Sequence, residues 1–92
     1  MTSNGRESYS VQILPSVRRE LESIPKKDAA RVAAAITRLA SDPRPPQSKK
    51  LVGFPDDYRL RVGWYRVLYI LNQGERLVVV YRIGHRKDVY RH

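Results

Sequence analysis

Ninety-two residues, 41% apolar and 9% aromatic, are enough for one compact domain and too hydrophobic for a disordered tail. The chain has no Cys, which excludes disulfide scaffolds, thiolate nucleophiles and Cys-based zinc sites, and its two His (His85, His92) are too few for a self-contained His-rich metal centre. Eighteen basic against nine acidic residues give +9, with 13 Arg to 5 Lys and an excess of +3 over residues 1–46 but +6 over residues 47–92. Arg presents a planar fork of donors suited to phosphate, so a basic C-terminal half suggests a polyanionic partner. Nucleic acid is the first candidate, ahead of an anionic membrane or an acidic protein; a merely solubilising surface is the bland alternative. No apolar run approaches the roughly 20 residues that span a bilayer, and Met1–Glu7 is polar, as a flexible tail would be, without the apolar stretch of a secretory signal. A cytoplasmic protein, one domain over residues 1–92, is expected.

From Ser8 to Leu14 the pattern alternates, with Tyr9, Val11 and Ile13 on one side, and predicts a first strand. Pro15-Ser16 opens a helix with Ser16 as the expected N-cap and Val17, Leu21 and Ile24 as its apolar stripe. Pro25 breaks that period and starts a second helix, about Lys26 to Ala40, striped by Val32, Ile36 and Leu39. The two form an αα-hairpin. Ser41–Lys50, with Pro43, Pro45 and Pro46, reads as an extended, exposed linker, and Phe54-Pro55 is expected to pack over the helix pair.

From Tyr58 the period becomes two. Gly63-Trp64 suits a two-residue type II′ turn, Tyr65–Leu71 a strand, Asn72–Glu75 a turn and Arg76–Ile83 a further strand, with Gly84 ending regular pairing. The predicted fold class is α+β: a single domain of order β-α-α-β-β-β(-β), an antiparallel sheet with the helical hairpin on one face, the optional last strand being Val89-Tyr90.

Register turns this outline into chemistry. A turn at Gly63-Trp64 pairs Val62 with Tyr65, Arg61 with Arg66, Leu60 with Val67 and Arg59 with Leu68. Leu60, Val62, Tyr65, Val67 and Tyr69 then share the face under the helices, and Arg59, Arg61 and Arg66 share the other. Like charges directly opposite one another disfavour folding, and guanidinium cannot relieve this by losing a proton. An anion docked on that face explains the pattern; arginines splayed into solvent are the alternative.

The run Lys50-Leu51-Val52-Gly53, then Tyr58-Arg59-Leu60-Arg61-Val62-Gly63-Trp64-Tyr65-Arg66-Val67-Leu68-Tyr69, then Ile83-Gly84-His85-Arg86-Lys87-Asp88-Val89-Tyr90-Arg91 resembles the RelE branch of the RelE/ParE toxin superfamily. The resemblance covers nearly the whole chain. It implies the RelE-like microbial RNase fold and a type II toxin that enters the ribosomal A site and cuts mRNA by 2′-hydroxyl attack on the adjacent phosphate, without metal or other cofactor. It further implies Arg61, Arg66, Arg86 and Tyr90 as catalytic residues. Arg66 and Arg86 would stabilise charge, with Arg86 also a candidate for leaving-group protonation, and Tyr90 would be a general base or stacking group. Arg59, Lys50, His85, Lys87 and Arg91 would bind RNA, with His85 also a candidate for proton transfer. Arg59 and Arg61 stand where many relatives carry Lys, and an Arg there holds charge but yields a proton far less readily.

The implied partners are the small ribosomal subunit and its rRNA, mRNA, and a cognate antitoxin whose acid-bearing segment wraps the toxin, the complex binding its operator DNA; no membrane is involved. Arg18, Arg19, Lys26, Lys27, Arg31 and Arg38 form either an rRNA-contacting helical surface or a solvated face. Trp64 at the hairpin tip either stacks on a nucleobase or packs the turn. Two other functions fit the composition: a ParE-like inhibitor of DNA gyrase and a non-catalytic basic RNA-binding protein.

Overall fold

Two helices lie against one face of a five-stranded sheet in the computed structural model, which describes residues 8–85. The elements are β1 (Ser10–Ile13), α1 (Pro15–Ser23), α2 (Lys26–Arg38), β2 (Ser48–Lys50), β3 (Asp57–Val62), β4 (Tyr65–Asn72) and β5 (Leu77–His85). Their order across the sheet is β1-β5-β4-β3-β2. This is the expected α+β plan, with two departures in the sheet. β1 joins β5 in parallel, Ser10 beside Leu77 through Ile13 beside Val80, so the sheet is mixed rather than wholly antiparallel. The added strand is β2, drawn from the linker-like segment; a strand at Val89-Tyr90 lies outside the described residues.

The helix starts follow from proline. Leu14, extended at φ −65° and ψ 151°, is the N-cap of α1 and makes no side-chain cap bond; Pro15 occupies the first turn, so Ser16 lies inside the helix instead of capping it. Pro25, at φ −54° and ψ 142°, separates the helices and caps α2. The predicted stripes meet the sheet: Val17, Val32, Ile36 and Leu39 are buried with Leu60, Val67, Tyr69, Leu71, Val78, Val80 and Ile83, and Leu21 and Ile24 pack at the margin. Burying one such side chain stabilises the fold by roughly 1.5–3 kcal/mol, which makes this layer the main source of stability.

Tyr69 stacks on Tyr58 at 5.7 Å, and its hydroxyl donates to the Pro43 carbonyl at 2.6 Å, fixing the segment that leads to β2. Burial pushes the Tyr69 hydroxyl up to about 12. Phe54 does not reach the helices. The Val52–Phe54 turn, with Gly53 at φ +85°, holds it out in solvent.

Candidate nucleic-acid interface

The β3–β4 hairpin has the register read from the sequence: Val62 beside Tyr65, Arg61 beside Arg66, Leu60 beside Val67, Arg59 beside Leu68. Gly63 at φ +59° supplies the left-handed first position that a type II′ turn needs. Arg61 N donates outward to the Gln47 carbonyl at 3.2 Å, so Arg61 and Arg66 form the non-hydrogen-bonded type of pair. In that geometry opposed side chains come closest, with Cα atoms about 4.5 Å apart.

Arg66 is only 5% exposed although it lies on the face away from the helices. Its Nη1 donates to the Tyr65 carbonyl at 3.4 Å, beyond the usual hydrogen-bond range, and its Nε has no partner. Among the described residues no carboxylate pairs with Arg61 or Arg66. A buried guanidinium beside a second guanidinium, with donor groups unfilled, is a costly arrangement that a bound anion would relieve.

β5 adds to this face through an irregularity. Val80 pairs with Tyr69, but Arg82 rather than Tyr81 pairs with Leu68, so Tyr81 is an extra residue in the ladder. Without that bulge Arg82 would share the core face of Val78 and Val80. With it, Ile83 enters the core and Arg82 turns to the arginine face, where its Nε is also buried without a partner. The displaced Tyr81 hydroxyl donates to Asp57 Oδ2 at 2.6 Å. Burial and this carboxylate hold its pKa well above the usual tyrosine value.

The same shift places His85. Strand β5 continues through Gly84, which pairs with Arg66, to His85, which pairs with Tyr65; regular pairing does not stop at Gly84. His85 therefore belongs to the helix-side rim, stacked on Trp64 at 6.3 Å and edge-on to Tyr65 at 6.0 Å, away from the arginines. Trp64 is 60% exposed at the tip. The Tyr65 hydroxyl donates to Asp28 Oδ2 at 3.1 Å, and burial together with that carboxylate raises its pKa.

Lys50, the expected RNA contact on β2, pairs with Tyr58 and so has helix-side parity; it lines a polar pocket of about 390 Å³ with Arg44, Asp56, Asn72 and Gln73. Lys49 pairs with Arg59 and is the β2 lysine on the arginine face. With Pro46, Gln47, Arg59 and Arg61 it borders an open groove of about 340 Å³. The structure thus brings Arg59, Arg61 and Arg66 together, adds Lys49 and Arg82, and separates Lys50 and His85 from them. Arg86, Lys87, Tyr90 and Arg91 lie outside the described residues. The basic residues Arg18, Arg19, Lys26, Lys27, Arg31 and Arg38 are exposed on the helical layer, opposite this face. Among the described residues no cluster of three His, Asp or Glu could hold a metal ion, and no helix is long and apolar enough to cross a membrane.

A family model described as the ParE toxin of type II toxin–antitoxin systems, parDE, matches residues 11–90. Toxin RelG of Mycobacterium tuberculosis is 33% identical over 87 residues, which span 90% of this chain and 97% of that protein. The archaeal RelE–RelB complex from Pyrococcus horikoshii contains a chain of similar structure, with a TM-score of 0.79 and 30% identity across 88% of this chain and 98% of that one. The RelBE2 toxin–antitoxin complex of Mycobacterium tuberculosis gives a TM-score of 0.74 and 28% identity, covering 86% of this chain and 99% of its counterpart. The matched model carries the ParE description, while these relatives are RelE toxins. The chain belongs to the ParE toxin family of type II toxin–antitoxin systems and, within the RelE/ParE superfamily, is a RelE-type toxin.

Proposed function

We propose that this toxin is a ribosome-dependent endoribonuclease that cleaves mRNA in the A site. A 2′-hydroxyl oxygen bonds to the adjacent phosphorus while the bond from phosphorus to the 5′-oxygen of the next nucleotide breaks. The upstream fragment keeps a 2′,3′-cyclic phosphate and the downstream fragment gains a 5′-hydroxyl. One proton leaves the attacking hydroxyl and one reaches the departing oxygen. The phosphorane between these steps carries extra negative charge, and fixed cations are the direct way to stabilise it.

Arg66 supports this reading most: a buried cation with unfilled donors, directly across from Arg61. Its environment excludes water on one side, which strengthens its attraction for phosphate. The hydroxyls of Tyr65, Tyr69 and Tyr81 are tied to Asp28, Pro43 and Asp57 and have raised pKa values, so none suits a base at neutral pH. By the resemblance, Tyr90 remains the base or stacking group and Arg86 the second charge-stabilising arginine.

RelB-bound relatives support an antitoxin partner for this chain, and the net charge of +9 suits an acid-bearing segment. On this reading the toxin works in the cytoplasm, where it would meet both the ribosome and the antitoxin. The test is primer extension on a message translated in a purified system, with gyrase supercoiling assayed in parallel. Codon-position cuts with wild type and none with Arg66→Ala support the ribonuclease. Uncut message together with inhibited supercoiling would favour the ParE-like activity instead.

A further inference from the structure

The cations of the open face are arranged in two rows across the sheet. Arg61 and Arg66 form one, with Gly84 continuing it on β5. Two residues away along the strands, Lys49, Arg59, Leu68 and Arg82 are aligned on β2, β3, β4 and β5. Two residues at roughly 3.4 Å set the rows about 6.8 Å apart, comparable with successive phosphates on an extended RNA strand. Within the second row Arg59 and Arg82 flank the buried Leu68 from strands about 9.6 Å apart, close enough for both guanidinium groups to converge above it.

The next row ends this track: Asp57 lies beside Ile70 and Val79 with its carboxylate held by the Tyr81 hydroxyl. Arg82 Nε, like Arg66 Nε, is buried without a hydrogen-bond partner, and among the described residues neither Arg82 nor Lys49 is ion-paired. The β-bulge at Tyr81 is what delivers Arg82 to this face, and bulges that re-aim a side chain are built features of a sheet.

We propose that Arg82, converging with Arg59 above Leu68 and with Lys49 flanking them at the sheet edge, forms a second phosphate subsite that holds a phosphate adjacent to the one cut at the Arg61–Arg66 row. This rests on the reading of the first row as the scissile-phosphate cradle. Arg82 is a positioning residue: it fixes the RNA strand along the direction of β3 and β4, so that the attacking 2′-hydroxyl is aligned. The ligand is single-stranded RNA backbone, recognised at two consecutive phosphates without reading the base between them.

Ribosomes are programmed with messages carrying one neutral methylphosphonate at the phosphate on either side of the cleavage point. Single-turnover cleavage by wild type should fall roughly 10- to 100-fold for one of the two positions, the loss expected when a charge-assisted hydrogen bond is removed. Arg82→Gln should lose a similar factor on unmodified message and lose little more at that position, while the other position affects both proteins alike. Losses that multiply at both positions, or a wild type indifferent to both, overturn the subsite. A second measurement needs no cleavage: binding of a short single-stranded RNA, followed by Trp64 fluorescence across a salt series. Lys49→Gln, at the exposed edge, and Arg82→Gln should each flatten the log–log salt dependence by about 0.7, the value for one phosphate contact on a single strand. Unchanged slopes refute the proposal even where cutting is seen, and flattened slopes with no cutting leave the subsite standing while the ribonuclease reading falls.

Discussion

Replacing Arg66 by Met, which keeps an unbranched stem without the charge, should make the fold more stable and the toxin inactive. At a separation of about 6 Å and an effective dielectric of ~20, two unit charges repel by roughly 3 kcal/mol. Arg61 is exposed, so salt leaves only ~1 kcal/mol of that. The partnerless Nε adds roughly 1–3 kcal/mol of unrecovered desolvation. Against these stands one long bond to the Tyr65 carbonyl, at 3.4 Å, whose loss costs about 0.5 kcal/mol. The net expectation is a gain of about 1.5–3.5 kcal/mol, which for a domain of this size raises the melting temperature by roughly 4–8 °C per kcal/mol. Urea unfolding followed by Trp64 fluorescence, at low and moderate salt, measures it; part of the gain should fade as salt rises. A loss of stability in Arg66→Met would show that this arginine serves the fold, and retained cleavage would remove it from the site.

The remaining expectations concern the scaffold that presents the arginines. The raised pKa of Tyr69, about 12 against 10 unfolded, means that the folded state binds its proton more tightly, so this contribution is complete below pH 10 and is lost as pH rises from 10 to 12. Tyr69→Phe should flatten the alkaline limb of the stability–pH curve, and through loss of the bond to Pro43 cost about 1 kcal/mol at neutral pH. Gly63→Ala places a side chain at φ +59° and within 3.1 Å of the Arg31 guanidinium, and should cost roughly 1–2 kcal/mol in urea unfolding; no change would mean that the turn relaxes freely. Glu20 Oε1 accepts from Ile83 N at 3.0 Å, where β1 has already ended beside Val80. Glu20→Ala should therefore destabilise by roughly 1–3 kcal/mol and speed amide exchange at Ile83, with Glu20→Gln restoring most of both.

Much of the fold was legible because its signals are local. Pro15 and Pro25 bracket the helices, Val17, Leu21, Ile24, Val32, Ile36 and Leu39 mark one apolar side, and Gly63-Trp64 fixes the register that opposes Arg61 and Arg66. What escaped depends on distant partners. Nothing around Ser10–Ile13 states that it will lie parallel to Leu77–Val80, because the pairing is sealed by burial across the whole sheet. The three residues of β2 follow three prolines and show no alternation of their own, so only pairing with β3 reveals that Lys49, not Lys50, shares the face of Arg59. Arg82 and His85 exchanged sides through the bulge at Tyr81. A conflict was visible there: strict alternation from Val78 and Val80 would bury Arg82 and expose Ile83. A ladder that must keep an arginine out and an isoleucine in has reason to insert one residue.

The most direct test of the account is the chemistry of the cut ends. Fragments from ribosomes treated with the toxin should carry a 2′,3′-cyclic phosphate upstream and a 5′-hydroxyl downstream by mass spectrometry, and neither should appear with Arg66→Ala. Intact message, or ends bearing a 3′-hydroxyl and a 5′-phosphate, would contradict a phosphate gripped by arginines while its own neighbouring sugar attacks.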